Sequence, residues 1–357
     1  MKRTLSLLLS AALSLSLLSG CALFGSGSGS GSASQPDGSG SGSSSSSQGE
    51  VQQPATEINF MVLNGPTGVG AAWLMDNYGA DSAPEDALFT LNTTVTADNS
   101  DVTANLINRS ADIAALSTNV AANLFAKSDG SIQVLAVNTL GVLYILEKGD
   151  TVQSMADLAG KTLLAPSTGK GANPEYILNY LLEQNGVEPS QVDIQWMTPQ
   201  EITAQMTSSE AGICMLPVPA ATALLIQDSG VREALSLSDV WDELEQGSLP
   251  MGCIVARTEF IEENPEVVED FLARYADSIT YMTDPENLEA AAELVAKYQI
   301  TANAAVAQTA IPQCNLTCVT GEEMKNMLEQ YYQVLFQADP DSIGGSLPYD
   351  SFYYGVA

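Results

Sequence analysis

A pattern repeated about a hundred residues apart constrains this chain more than any other feature. Pro66-Thr67-Gly68-Val69-Gly70-Ala71 is answered by Ser167-Thr168-Gly169-Lys170-Gly171-Ala172. Each follows an apolar run, Ile58 to Leu63 in one case and Thr162 to Ala165 in the other, and each opens a helix-like stretch. Further on, Ala111-Asp112-Ile113-Ala114-Ala115-Leu116 is echoed by Ala211-Gly212-Ile213-Cys214-Met215-Leu216. Two matches in the same order at nearly the same offset predict two similar α/β halves with a cleft between them.

Not all of the 357 residues belong to those halves. Met1-Lys2-Arg3 is basic, and Leu5 to Leu18 is apolar but too short for a permanent bilayer span. Residues 1–20 therefore read as a secretory signal peptide. It ends in Leu18-Ser19-Gly20-Cys21, which resembles a bacterial lipobox with Cys21 as the lipidated first residue. Residues 21–55 are the lipidated cysteine and a Gly/Ser tether, a composition that cannot bury apolar surface and is expected to stay disordered. As a flexible coil the stretch from Gly25 to Gly49 would span roughly 25–30 Å.

The folded part divides into a first section of lobe one, 56–145, a second lobe, 146–254, and a helical return to lobe one, 255–357. Strands are expected at Ile58–Leu63, Leu88–Val95, Ile113–Leu116, Ile132–Asn138, Val142–Leu146, Thr162–Ala165, Val192–Trp196, Ile213–Leu216 and Cys253–Ala256. Helices alternate with them, which predicts parallel α/β layers. Asn173 is a candidate helix N-cap before Pro174, and Ile177, Leu178, Leu181 and Leu182 form the apolar face. The chain should cross between lobes near Val142–Glu147 and Gly252–Arg257, giving a two-segment hinge.

Ligands in open α/β sheets sit beyond the carboxyl ends of the strands. The candidate binding residues there are Thr67, Gly68, Val69, Gly70, Ser117, Thr118, Asn119, Ser167, Thr168, Gly169, Lys170, Gly171, Pro217, Val218 and Pro219. Glycine permits close backbone approach, and free N–H groups at a helix start suit oxyanions. One such loop alone could serve only as a tight turn; two that face each other favour a ligand. Trp73 and Tyr176, each a few residues into the following helix, could stack on a planar ligand, with core packing as the alternative.

Several chemistries drop out. The chain has no histidine, so no Ser-His-Asp or Cys-His pair exists. Gly169-Lys170 is followed by Gly171, not Ser or Thr, and neither loop completes a dinucleotide fingerprint. A net charge of −31 repels nucleic acid. The same charge could attract a cation, or simply keep a cell-surface protein soluble. Besides Cys21 the cysteines are Cys214, Cys253, Cys314 and Cys318; their spacing suits no zinc site, and Cys314 with Cys318 is the candidate disulfide. No metal or cofactor is expected.

The lipobox, the first glycine loop, Asp157-Leu158-Ala159-Gly160-Lys161-Thr162, Glu259-Phe260, Asn264-Pro265-Glu266, Ala172-Asn173-Pro174-Glu175-Tyr176 and Met215-Leu216-Pro217-Val218-Pro219 together resemble a known family. It is that of type II periplasmic-binding-protein folds, in particular the substrate-binding lipoproteins of ABC importers in the sulfonate/nitrate/taurine and thiamine-precursor (NMT1/THI5-like) superfamily. The resemblance implies a two-lobed, non-enzymatic receptor, expected to be a monomer anchored by lipid on the extracytoplasmic face of the membrane. It would capture a small organic solute or anion and deliver it to an ABC permease. A sensory receptor signalling to a membrane partner is the alternative. A pyrimidine-precursor synthase is disfavoured, because those enzymes use a histidine and a cysteine-rich motif that this chain lacks.

Overall fold

The computed structural model describes residues 54–356 apart from Glu245. The signal peptide, Cys21 and all but the end of the tether lie outside the described residues. Among the described residues no helix is long and apolar enough to cross a membrane.

Among the described residues eleven strands build two sheets: β1 Thr56–Leu63, β2 Phe89–Thr96, β3 Ile113–Ser117, β4 Ile132–Thr139, β5 Leu143–Lys148, β6 Thr162–Pro166, β7 Asp193–Met197, β8 Gly212–Pro217, β9 Arg232–Ser236, β10 Gly252–Arg257 and β11 Leu316–Val319. The first sheet runs β11-β4-β10-β3-β1-β2 and the second β7-β6-β8-β5-β9. Read from one edge, each has the order second, first, third, returning strand, fourth. That shared order is the repeat seen in the sequence, with β1 matching β6 and β3 matching β8. β1 lies between β2 and β3 in parallel register, and its nearly unbroken apolar run is buried on both faces.

The sheets are mixed, not purely parallel as expected. β10 runs antiparallel to β3 and β4, and β5 runs antiparallel to β8 and β9. Each of these strands arrives just after a crossing, so it enters its sheet from the opposite end. The crossing points also differ from expectation. β5 lies wholly in the second sheet and β10 wholly in the first. The chain therefore passes over at Leu140–Val142 and returns between Asp242 and Gly252. Both crossings open at the ends of the third strands: Leu143 stands opposite Pro217, and Gly252 opposite Ser117 and Thr139.

Local chemistry explains the helices around this point. Asp98 caps Asn99–Ile107 by accepting from the Ser100 amide at 2.8 Å. Thr118–Lys127 starts directly at the end of β3. In Asn173–Gln184 the predicted apolar face, Ile177, Leu178, Leu181 and Leu182, is fully buried. Its N-cap is Ala172 rather than Asn173, whose side chain is engaged elsewhere. Gly186 at φ +76° ends that region.

The predicted disulfide is absent: Cys314 and Cys318 are both free thiols. Asn315, at φ 44°, turns the chain between them. Cys314 is buried beside Met282 and Ile311 and donates to the Ala310 carbonyl at 3.3 Å. Cys318, on β11, packs against a different apolar cluster. Burial pushes the Cys314 thiol up to about 12 and the Cys318 thiol up to about 11, so neither is a ready nucleophile.

Helices late in the chain reach across to the second lobe. Gly321–Ala338 buries Tyr331, which packs on Trp241 at 5.8 Å between ring centroids. Ala304–Ala310 packs on Ala220–Gln227, and the Thr222 hydroxyl donates to Gln313 Oε1 at 3.3 Å. One apolar cluster runs continuously from Met61 and Leu116 of the first sheet's lobe to Leu163, Ile177 and Trp241 of the other.

Candidate functional site

Two adjoining chambers lie where the strand ends of both lobes meet. The inner one holds about 110 Å³. Its polar wall is Asn64, Thr67, Ser117 and Thr139 from one lobe and Thr168 and Gly169 from the other. Among the described residues no Asp, Glu, Lys or Arg lines it. Thr139 is fully buried, and its hydroxyl has no hydrogen-bond partner among the described residues. Such a buried, unpartnered hydroxyl costs free energy. Ser117 is held by a reciprocal pair of bonds with Asn99, each 3.2 Å long. Gly252 backs the chamber: a Cβ there would overlap the Thr67 methyl and come within 2.7 Å of Asn138 Oδ1.

The outer chamber holds about 750 Å³, a volume within the usual range for a small-molecule site. Asn99 and Thr168 border both chambers. Its wall also carries Asn119, Lys127, Lys170, Gly171 and Tyr176. Asn119 is buried; its amide donates to the Ser342 carbonyl at 3.2 Å while its Oδ1 has no partner among the described residues. The Tyr176 phenol is pushed up by burial and then by the nearby carboxylates Asp339, Glu175 and Asp341.

The candidates from the sequence separate into groups, Tyr176 among those on the outer wall. Thr67, Ser117, Thr168, Gly169 and Pro217 line the inner chamber. Asn119, Ser167, Thr168, Lys170 and Gly171 line the outer one. Gly68, Val69 and Gly70 do neither, because this stretch faces the core. A Cβ at Gly68 would sit 2.5 Å from the Leu63 carbonyl oxygen, and one at Gly70 2.5 Å from the Ile279 side chain. Trp73 packs on Tyr78 and Tyr281, at 6.4 and 5.8 Å. Val218 is buried with Val69 and, like Pro219, lines neither chamber.

Thr118 is the instructive correction. It is fully buried, and its hydroxyl donates to the Pro250 carbonyl at 2.7 Å and accepts from Asn173 Nδ2 at 2.9 Å. Asn173 also donates to the Met251 carbonyl at 2.7 Å and accepts from the Tyr331 hydroxyl at 2.8 Å. The Tyr332 hydroxyl donates to the Thr118 carbonyl at 2.8 Å. The bonds of Thr118 to Pro250 and Asn173, and of Tyr331 to Asn173, join the lobes beside the chambers instead of facing into them. Asn64, Asn99, Thr139 and Lys127 are not among the sequence candidates. The strand-end rule alone would have found Thr139, the last residue of β4.

A match to the NMT1/THI5 like family covers residues 93–288, more than half of the chain. The chain belongs to the NMT1/THI5-like family. This NMT1/THI5-like protein is similar to a Brucella abortus (strain 2308) protein provisionally named a binding protein, 23% identical over 175 residues. The match covers 49% of this chain and 52% of that protein, so the chain spans about half the length of the curated relatives it matches. Solved structures share the fold. A Parabacteroides distasonis ABC transporter protein superposes with a TM-score of 0.68 at 22% identity, covering 84% of this chain and 98% of that one. The periplasmic aliphatic sulphonate binding protein SsuA of Escherichia coli gives 0.64 at 17%, over 81% and 90%. The alkanesulfonate-binding SsuA of Xanthomonas axonopodis pv. citri, bound to MOPS, gives 0.62 at 11%, over 85% and 98%. The NMT1/THI5-like chain thus has the two-lobed fold of these binding proteins.

Proposed function

We propose that the protein is the extracytoplasmic solute receptor of an ABC importer, anchored through lipidated Cys21 and held off the membrane by the 21–55 tether. Lobe one comprises residues 56–142 and 252–357, and lobe two the stretch between. A small solute binds in the paired chambers, with Thr67 and Ser117 contacting it from lobe one and Thr168 and Lys170 from lobe two. The lobes close on it, and the closed form docks on a membrane permease. No reaction is assigned to the site; its described polar groups bind and orient.

The observation that carries this reading is the inner chamber: walled by both lobes, lined by Thr67 and Ser117 from one and Thr168 from the other, and free of charged side chains among the described residues. A ligand there is shared between lobes and stabilises their contact.

The test is a thermal-shift screen of the purified protein against sulfonates, nitrate, amino acids, thiamine precursors, pyrimidines and polyamines. A solute at a hundred times its Kd adds about 2.7 kcal/mol to native stability and raises Tm measurably. A hit whose shift shrinks in Thr168→Val supports the site. Cooperative unfolding with no shift for any solute argues against a solute receptor.

A further inference from the structure

The chain is strongly acidic, with 43 Asp and Glu against 12 Lys and Arg. In such a chain a cationic side chain seldom lacks a carboxylate neighbour. Among the described residues, seven lysines and arginines form ion pairs with carboxylates. Lys161 donates to the Thr151 carbonyl instead. The two that remain, Lys127 and Lys170, have no hydrogen bond or ion pair among the described residues, and both stand on the wall of the outer chamber. They come from opposite lobes. Lys127 ends the helix Thr118–Lys127, and Lys170 follows the short turn Ser167–Gly169 that leads into Asn173–Gln184. Those two helices pack against each other.

Among the described residues the carboxylates nearby form no ion pair with them. Asp98, on the same wall, caps the Ser100 amide at 2.8 Å. Glu175 accepts from the Gly171 amide at 2.6 Å. Asp341 lines the chamber as well, and no ion pair joins it to either lysine. The inner chamber, by contrast, offers threonine hydroxyls and no charge. At about 110 Å³ it has room for only a few non-hydrogen atoms.

We infer that the ligand is elongated and carries two unlike ends: an uncharged hydrogen-bonding end that enters the inner chamber, and an anionic group held between Lys127 and Lys170 in the outer one. This rests on the solute-receptor reading and specifies its solute class as a carboxylate, sulfonate or phosphate with a neutral polar head. The anionic end touches a cation from each lobe, so the same contact that sets specificity also draws the lobes together.

The test is isothermal titration calorimetry on the full chain with three anionic probes: 4-hydroxybutyrate, 3-hydroxypropanesulfonate and glycerol 3-phosphate. Each is matched by an uncharged counterpart (4-hydroxybutyramide, 3-hydroxypropanesulfonamide and glycerol) and by cationic 4-amino-1-butanol. At least one anion is expected to bind at least tenfold more tightly than its neutral match, with affinity falling as salt rises. Lys127→Ala and Lys170→Ala should each weaken the anion roughly tenfold and its neutral match several-fold less, and arginine at either position should restore the anion. Equal binding of neutral and anionic partners, or wild-type affinity in the double alanine variant, overturns the inference. If only neutral or cationic solutes of the wider screen bind, the receptor reading stands and this inference falls. If no solute of any charge binds the cooperatively folded protein, both fall.

Discussion

The two glycine loops are near copies in sequence and opposites in place. In the first, Gly68 and Gly70 are buried, and each sits where a single added carbon would strike a neighbour. In the second, Gly171 faces open space and lies on the wall of the outer chamber, and glycine is favoured there because φ is +70°. One loop uses glycine to let elements approach closely; the other uses it to turn the backbone. Only Pro66 and Thr67 of the first loop reach the inner chamber, whereas Ser167, Thr168, Gly169, Lys170 and Gly171 of the second all reach one chamber or the other. The comparison teaches that a glycine motif marks a position in the fold, and the neighbours decide whether that position binds.

Substitutions can break or sharpen this contrast. The largest effect is expected from Gly68→Ala. Its Cβ would meet the Leu63 carbonyl, which is backbone and cannot move aside without disturbing β1. A loss of about 3 kcal/mol in urea unfolding is expected; a loss near zero would mean the first loop is not packed this way. Next comes Asn173→Ala. It would strip partners from the buried Tyr331 hydroxyl and from the Met251 carbonyl and remove a bond between the lobes. About 2 kcal/mol should be lost, and small-angle scattering should show a more open particle. An unchanged scattering profile would show that the apolar cluster alone holds the lobes.

Gly171→Ala should cost only about 1 kcal/mol, the strain of a left-handed backbone, because nothing lies within 4 Å of the added carbon. Gly171→Trp should cost a similar amount of stability while blocking the outer chamber. Calorimetry with a bound solute then separates the two variants: binding survives in the first and weakens in the second. Equal binding in both would remove the second loop from the site.

The smallest effect involves neither loop and supplies a baseline. Burial pushes the Glu147 carboxyl up, but the Thr151 hydroxyl, the Thr151 and Val152 amides and Arg232 outweigh it and hold the carboxyl below its ordinary range. A carboxylate lowered in the folded state contributes stability that is present above its unfolded value and lost as pH falls through the folded one. Tm should therefore drop on acidification below the usual carboxylate range, and Glu147→Gln should flatten part of that drop. A Tm profile identical to that of the parent protein would show that other carboxylates set the acid limit.

Much of the fold is legible in the order of the residues. Nearly continuous apolar runs such as Ile58–Leu63 and Ile132–Val137 suit strands covered on both faces, and they announce β1 and β4 correctly. The strands without such a signal are edge strands. β9, Arg232-Glu233-Ala234-Leu235-Ser236, and β11, Leu316–Val319, are only partly buried, so their sequences carry no apolar run to read. The antiparallel insertion of β5 and β10 is equally silent, since strand direction depends on where the chain crosses and leaves no local signature.

By itself the sequence determined the repeat, the alternation of strand and helix, and the rule that places loops at strand ends; these are local or periodic properties carried by neighbouring residues. Tertiary structure decided which of those loops open onto the chambers. Gly70 lies against Tyr275 and Ile279, about two hundred residues further along the chain. Thr118 spends its hydroxyl on Pro250 and Asn173. Lys127 and Lys170 come to one wall only because two helices from different lobes pack together. Whether a side chain binds a ligand or a neighbour depends on what surrounds it, and those surroundings are assembled from distant segments whose proximity no local pattern encodes.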